Sequence, residues 1–333
     1  MNKNLNSSSP IATVFGGSGF VGKYIVRRLV KSGWRVRVAV RSPNKAIFLK
    51  TYGEVGQVDI FKCSIFDSVE VSRCINGSTV VINAVAGLLN ETSNKKLKKY
   101  YLDWPEMLAI LLNKFDVKQF IHVSSLGVNK YSNSTYSSSK AKGEEKVLEN
   151  FSNTVILRPS LIFGHEDRFF NRYAAIAGYS LILPLIGANT RFQPVYVDDV
   201  AMVVEKVLAD SILTGVFELG GPEIMSLKEM IARMLLVIRR KRVLLSIPFG
   251  PANLIASVFS IINKASFGIV KPPFTVDNVK QLKSDNIVSE KESSFKDLDI
   301  KPQNVDTIIP LYLYSFRPYG QYNDITASAK KPN

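Results

Sequence analysis

Short apolar runs rich in β-branched residues recur through the first half of the chain, and most are followed by a stretch with helical spacing. Ile11-Ala-Thr-Val-Phe15 opens the series, and Phe20, Val21, Tyr24, Ile25 and Leu29 mark one face of a helix behind it. Arg35-Val-Arg-Val-Ala-Val-Arg41, Val58-Asp-Ile-Phe61, Thr79-Val-Val-Ile-Asn83, Gln119-Phe-Ile-His-Val123 and Thr154-Val-Ile-Leu157 read as five further strands. Helical spacing covers Leu102–Phe115 and Tyr136–Phe151. Such strands are buried on both faces, and helices between them make parallel crossovers, so the class is α/β with a doubly wound parallel sheet. Regularity decays after Pro159. Val216-Phe-Glu-Leu219 reads as a late strand returning to the sheet, and Ser226–Ile238 as a helix opened by a capping box, with Glu229 three residues after Ser226.

The turn between the first strand and the first helix reads Gly16-Gly17-Ser18-Gly19-Phe20-Val21-Gly22. Glycines placed between a strand and a helix bring backbone N–H groups and a helix N-terminus against a pyrophosphate, which is the dinucleotide-binding turn of a Rossmann fold. Gly17, Gly19 and Gly22 fit the general fingerprint, while Gly16, Gly19 and Gly22 fit the spacing of extended and atypical short-chain dehydrogenases. An NAD-binding fold usually ends its second strand on an acid that holds the ribose 2′-hydroxyl. No acid occurs between Gly22 and Glu54, and Arg41 stands at that strand's end, where a guanidinium grips a 2′-phosphate. NADP(H) is therefore expected over NAD(H). The expected division is a flexible tail at 1–10, a nucleotide-binding domain at 11–158, a smaller, partly helical C-terminal lobe at 159–315 and a polar tail at 316–333.

The formal net charge of +15 over 333 residues favours an anionic partner: a phosphorylated ligand, an acidic protein or a membrane surface. Nucleic acid is not expected, because neither Lys95-Lys96-Leu-Lys98-Lys99 nor Arg239-Arg240-Lys241-Arg242 is interleaved with aromatic side chains, and each reads as a solvated face or loop. Two cysteines, Cys63 and Cys74, make no disulfide framework, and with two histidines no metal site is expected. Residues Met1–Pro10 have neither a signal peptide's apolar core nor an Arg-rich transit helix. Either the protein stays where it is made, or a presequence lies outside this sequence. Tyr173–Ala188 is too short to cross a bilayer and contains Pro184. The uncharged stretch Val243–Asn263 carries Pro248 and Pro251 near its start, and reads as a broken, partly buried or interfacial helix.

Two features could carry chemistry. Val123-Ser124-Ser125 lies at the carboxyl end of the fifth strand, where ligands bind in such sheets. Tyr136 and Lys140 share one helix face, so the ammonium can favour the phenolate and also reach a cofactor ribose. The phenolate then serves as general base or acid toward a carbinol or carbonyl, and Ser125 orients the substrate oxygen.

With these residues in hand the chain resembles the extended and atypical short-chain dehydrogenases, the epimerase-like NAD(P)-dependent family. The likeness rests on Gly16–Gly22, Asp67, Asn83-Ala84-Val85-Ala-Gly87, Ser125, Tyr136 and Lys140, Leu157-Arg158-Pro159, Phe163-Gly164 and Val195–Val200. Phe163–Asn171, Gln193–Asp199, Val55–Val58 and Pro273–Asn286 are similar to one branch, that of the 39 kDa Rossmann-fold accessory subunit of respiratory complex I. The resemblance implies a tightly bound, structural NADPH and contact with complex I peripheral-arm subunits near the membrane and the quinone site. It places the protein on the cytoplasmic face of a bacterial inner membrane, or on the matrix side of a mitochondrial one. The alternative is an active NADPH-dependent reductase or epimerase, working through Tyr136 and Lys140 on a small or lipid-like substrate.

Several residues carry two readings each. Asp67 stands where the family keeps an acid near the adenine amino group, or is a surface loop residue. Asn83–Gly87 contacts the nicotinamide ribose or is a sheet-edge turn. Arg158 positions the nicotinamide side of the pocket or ends a strand. Asp198 and Asp199 read as a carboxylate pair, or as cap and first-turn charge for a helix starting at Val200, the reading preferred. Glu166, Asp167 and Arg168 read as a local ionic turn.

Overall fold

A computed structural model describes residues 10–87, 91, 93–210, 213–266, 269, 272–318 and 320. The expected N-terminal tail lies outside the described residues except for Pro10, and so does most of the tail expected from 316. The chain forms two compact units, neither contiguous in sequence. The first contains residues up to Pro159, Val197–Leu219 and Ser289–Ile300; the second contains Ser160–Tyr196, Gly220–Val288 and the residues from Lys301.

The first unit is built on a seven-stranded sheet. Strands β1 (Ile11–Phe15), β2 (Arg35–Val40), β3 (Val58–Lys62), β4 (Val80–Asn83), β5 (Gln119–Val123) and β6 (Thr154–Pro159) are joined by a seventh, Gly215–Leu219. In space the order is Gly215–Leu219, β6, β5, β4, β1, β2, β3. Every pairing is parallel. The chain starts mid-sheet, winds to one edge, crosses back and winds to the other, so a switch point falls between β1 and β4. The late strand foreseen at 216–219 takes its place beside β6. Helices α1 (Phe20–Lys31), α2 (Ser68–Ile75), α3 (Asn94–Lys98), α4 (Trp104–Leu112) and α5 (Thr135–Asn150) belong to this unit. Polar groups inside the sheet are paired: the Thr13 hydroxyl donates to the Cys74 carbonyl at 3.0 Å and lies 2.7 Å from the Ser78 hydroxyl. Cys63 and Cys74 are buried free thiols.

The helix expected over Leu102–Phe115 is different in form. It begins earlier, as α3, passes through a π-helical turn at Lys99–Asp103 and continues as α4. The cause is Pro105, which has no N–H to give the Tyr101 carbonyl and whose ring would strike that carbonyl in a regular α-turn. The wider turn relieves the clash. The helix expected to start at Val200 starts at Val197 instead, with Asp198 and Asp199 in its first turn. Asp198 takes a bidentate contact from Arg28, at 3.0 and 2.7 Å, and one from Arg27 at 3.3 Å, which ties α1 to this helix.

The second unit packs Phe163, Phe170, Leu183, Leu185, Met230, Ile231, Met234, Ile309 and Leu313 into one core. The helix Leu227–Val237 opens on the foreseen capping box, Ser226 with Glu229. The stretch Val243–Asn263 is not one interrupted helix. Its first five residues, Val243–Ile247, form a strand parallel to Ile182–Ile186, and the helix Phe249–Ala265 follows. Pro248 cannot continue the strand's ladder, and Pro251 is tolerated because a first-turn N–H needs no intrahelical partner. This helix buries Ala252 and Ala256 and exposes Leu254, Ile255, Val258, Ile261 and Ile262. Among the described residues, no helix is long and apolar enough to cross a membrane. The basic run after the helix Leu227–Val237 is put to structural use, with Arg240 donating to the Phe316 carbonyl and Arg242 to that of Ala177.

At the 166–168 turn the Asp167 carboxylate is spent on backbone N–H groups. The buried Asp167 carboxylate accepts the N–H groups of Gly164, Phe169 and Asn171 at 3.2, 2.9 and 3.2 Å, and the Tyr312 hydroxyl at 2.6 Å. Burial pushes its carboxyl above the ordinary range, against the four hydrogen bonds that oppose the shift. Tyr312→Phe removes one donor from this buried acceptor, and should destabilise the protein by about 1–3 kcal/mol in urea unfolding. An unchanged midpoint and slope would contradict this role.

Candidate functional site

The turn after β1 closes against the end of β4. Gly16 has φ +78°, and a Cβ there would lie 2.6 Å from the Ala84 carbonyl oxygen. A Cβ on Gly22 would run into the Gly16 carbonyl oxygen and the Gly17 Cα, and one on Gly17 would lie 2.7 Å from Val38 Cγ1. The turn is tied by Gly19 N–H donating to Gly16 O at 2.9 Å. α1 then starts on Gly19 with no side-chain cap and no acid in its first turn. Its first N–H groups and its positive dipole end therefore face outward at the switch point, which is the setting an anionic pyrophosphate needs. Gly16, Gly17, Ser18, Gly19, Phe20, Val21 and Gly22 thus form a cradle that a dinucleotide fits.

Arg41 is exposed one residue beyond β2. Its neighbour on the strand, Arg37, is committed elsewhere, donating to the carbonyls of Cys74 and Asn76. Asp67 is the N-cap of α2, its carboxylate accepting from Val69 and Glu70 N–H at 2.9 and 3.1 Å. Arg158 lies in a carboxylate cluster: it donates to Glu144 at 2.6 and 3.0 Å, with Glu218 at 3.6 Å and Glu292 at 3.9 Å. Both side chains hold backbone or ion-pair structure in place, whatever ligand contacts they make in addition.

Asn83 ends β4 and is 1% exposed. Its side-chain Oδ1 accepts from Val85 N–H at 3.2 Å and from the Trp104 indole at 3.1 Å, and its side-chain Nδ2 lies 3.0 Å from His122 Nδ1. His122 faces Asn83 across the β4–β5 pairing. Burial, with the Lys140 ammonium as a lesser cause, pushes its imidazole down to about 3. The ring is therefore neutral, and Nδ1 accepts from the Asn83 amide. The side chain of Asn83 is thus fixed from below, while the Ala84–Gly87 backbone stays at the ligand-facing end of β4.

On the other side of the switch point, the Tyr136 hydroxyl donates to Ser125 Oγ at 3.2 Å. The Lys140 ammonium lies 5.3 Å from the centroid of the Tyr136 ring and 5.4 Å from that of Tyr101. The two tyrosine rings meet edge to face at 5.0 Å. Burial, with Tyr136 beside it, pushes the Tyr101 phenol well above its ordinary range. The three residues singled out from sequence as a proton-transfer set thus converge; a phenol placed there can give its proton to a carbonyl oxygen, and the corresponding phenolate can take one from a carbinol. Sequence reasoning missed Tyr101, Trp104 and the part played by His122. The available signals were Pro105 inside a helical pattern and a histidine in an otherwise apolar strand. Among the described residues, no group of three or more His, Cys, Asp or Glu could hold a metal.

A model of the NAD dependent epimerase/dehydratase family matches residues 12–220, the stretch that carries this geometry. The chain belongs to that family. Members bind a nicotinamide cofactor, NAD or NADP. Over 332 residues it is 33% identical to the mitochondrial NADH dehydrogenase (ubiquinone) 1 alpha subcomplex subunit 9 of Arabidopsis thaliana, covering 98% of this chain and 82% of that protein. It is 29% identical to the mitochondrial NADH-ubiquinone oxidoreductase 40 kDa subunit of Neurospora crassa, over 96% of this chain and 83% of the relative. In fold it is similar to the UDP-glucose 4-epimerase of Thermotoga maritima, with a TM-score of 0.67 at 17% identity, covering 92% of this chain and 98% of the epimerase.

The neutral, buried His122 fixes a pH dependence of this family member's stability. Between pH 6.5 and about 3 the unfolded chain binds a proton on His122 that the folded chain does not. Stability from this group is therefore full above pH 6.5 and falls as pH drops, by up to about 1.4 kcal/mol per pH unit. Urea unfolding at pH 6.5, 5.5 and 4.5 should show the loss, and His122→Gln should flatten it. Equal slopes for the two proteins would contradict the buried neutral histidine.

Proposed function

We propose that this chain is a nucleotide-binding accessory subunit of a respiratory NADH:ubiquinone oxidoreductase, in which NADP(H) is a structural ligand rather than a turned-over cosubstrate. The observation that carries this reading is the correspondence with the plant and fungal subunits over nearly the whole chain, C-terminal unit included. Those proteins are named as parts of NADH-ubiquinone oxidoreductase, and the nucleotide-binding half alone would be common to many enzymes. The exposed row Leu254, Val258 and Ile261, on a helix with no charged residue before Lys264, supports a covered surface in an assembly. The net charge of +15 supports an acidic neighbour or a peripheral position on an anionic membrane face. That face is the cytoplasmic side of a bacterial inner membrane or the matrix side of a mitochondrial one. The preference for the 2′-phosphate rests on Arg41 and on the absence of acids between Gly22 and Glu54.

A second reading, an active NADPH-dependent reductase or epimerase, is favoured by the Tyr136–Ser125 hydrogen bond. A nicotinamide bound beside it would supply the hydride chemistry. Tyr136 would move the proton at the substrate oxygen, Ser125 would orient that oxygen, and Lys140 would stabilise the phenolate.

Native purification under mild detergent, with mass identification of co-eluting proteins, separates the two. The first reading expects the chain to travel with quinone-oxidoreductase subunits, and Tyr136→Phe to leave that association intact. Elution alone, together with NADPH consumption on a carbonyl substrate that Tyr136→Phe abolishes, would overturn it.

A further inference from the structure

Tyr101 belongs to none of the motifs that mark the site, yet the local fold is arranged around it. It sits in the π-helical turn Lys99–Asp103, a rare local form imposed by Pro105 four residues on. Its backbone carbonyl rests where a Cβ on Gly143 of α5 would be, so only glycine lets α5 and the π-turn approach this closely. Its phenol end fills the space that a Cβ on Gly87 would need, and its hydroxyl accepts the Gly87 N–H at 2.9 Å. Its ring meets Tyr136 edge to face, and the Lys140 ammonium lies over both rings. Lys140 is 9% exposed, and among the described residues its ammonium has neither a hydrogen-bond acceptor nor a carboxylate partner. A cation so far withdrawn from water is held by the ring faces and keeps its N–H donors for a ligand.

We propose that Tyr101 is a positioning residue of the dinucleotide site, holding the Lys140 ammonium with its ring and the Ala84–Gly87 segment with its hydroxyl. It thereby sets the affinity for the nicotinamide-ribose half of the ligand. This rests on the reading that the site binds NADP(H). The adenine half is served by elements Tyr101 does not touch, namely the Gly16–Gly22 turn and Arg41. Tyr101 should therefore discriminate between a whole dinucleotide and its adenine half, which a residue that merely stabilises the fold would not do.

The test is titration of the full-length protein, first stripped of retained nucleotide in denaturant and refolded, with NADPH, followed by nicotinamide fluorescence, and with 2′,5′-ADP, followed by calorimetry. Wild type, Tyr101→Phe and Tyr101→Leu are compared. Tyr101→Leu, which loses ring and hydroxyl, should weaken NADPH by about ten-fold or more and leave 2′,5′-ADP unchanged. Tyr101→Phe keeps the ring over Lys140, so it should lose part of the NADPH affinity, again with 2′,5′-ADP unchanged. It remains a usable variant if the leucine protein does not fold. Undiminished NADPH binding by the variants, or parallel loss of both ligands, would overturn the role of Tyr101 while leaving the nucleotide reading intact. A wild-type protein that binds neither ligand would overturn both.

Discussion

Between β1 and β4 two pieces of backbone come closer than any side chain permits. The Gly16 position faces the Ala84 carbonyl, and the Gly22 position faces the Gly16 carbonyl, so the turn, the first turn of α1 and the end of β4 are in contact main chain to main chain. That closeness leaves the N-terminus of α1 uncovered at the one place where the strand order reverses. Gly19, at the helix cap, offers no side chain to occupy its own N–H groups. A helix N-terminus left open in this way is a setting that attracts an anion.

Beneath the glycine contact lies a buried polar network that fixes β4 to its neighbours. Asn83, His122 and Trp104 satisfy one another, so the strand end carrying Ala84 and Val85 is held by hydrogen bonds in a dry environment. Such a network is costly to disturb because each unpaired group would stay buried. On the far side, Glu144 and Arg158 hold α5 to β6, one helical turn beyond Lys140. The ligand-facing residues are thus carried on rigid supports from both directions, which suits a nucleotide retained as part of the structure and equally suits an enzyme that must keep its proton-transfer groups aligned. The resemblance of the whole chain to respiratory subunits weighs toward the first.

Much of this was legible in the sequence. The parallel sheet follows from unalternating apolar strands separated by helices, and the Gly16–Gly22 turn and the meeting of Ser125, Tyr136 and Lys140 follow from local spacing. What was not legible depended on contacts between distant segments. Asp67 looked equally like a ligand contact and a loop residue until α2 was seen to start on it. Val243–Ile247 has no distinct strand pattern, and becomes a strand only by pairing with Ile182–Ile186, far earlier in the chain. The π-turn required weighing Pro105 against an otherwise continuous helical pattern, and that turn is what delivers Tyr101 to the site. Arg158 reads from sequence either as a pocket residue on the nicotinamide side or as a strand end, and its three carboxylates come from α5, the seventh strand and a later loop.

In the proposed function, the cradle at the switch point holds a dinucleotide bearing a 2′-phosphate as a lasting part of the protein. The most direct test is to denature the natively purified protein and identify and count the nucleotide it releases by mass spectrometry. The account predicts NADP(H) at about one equivalent per chain, surviving extensive dialysis of the folded protein. Release of NAD(H) in its place, or of no nucleotide at all, would contradict it.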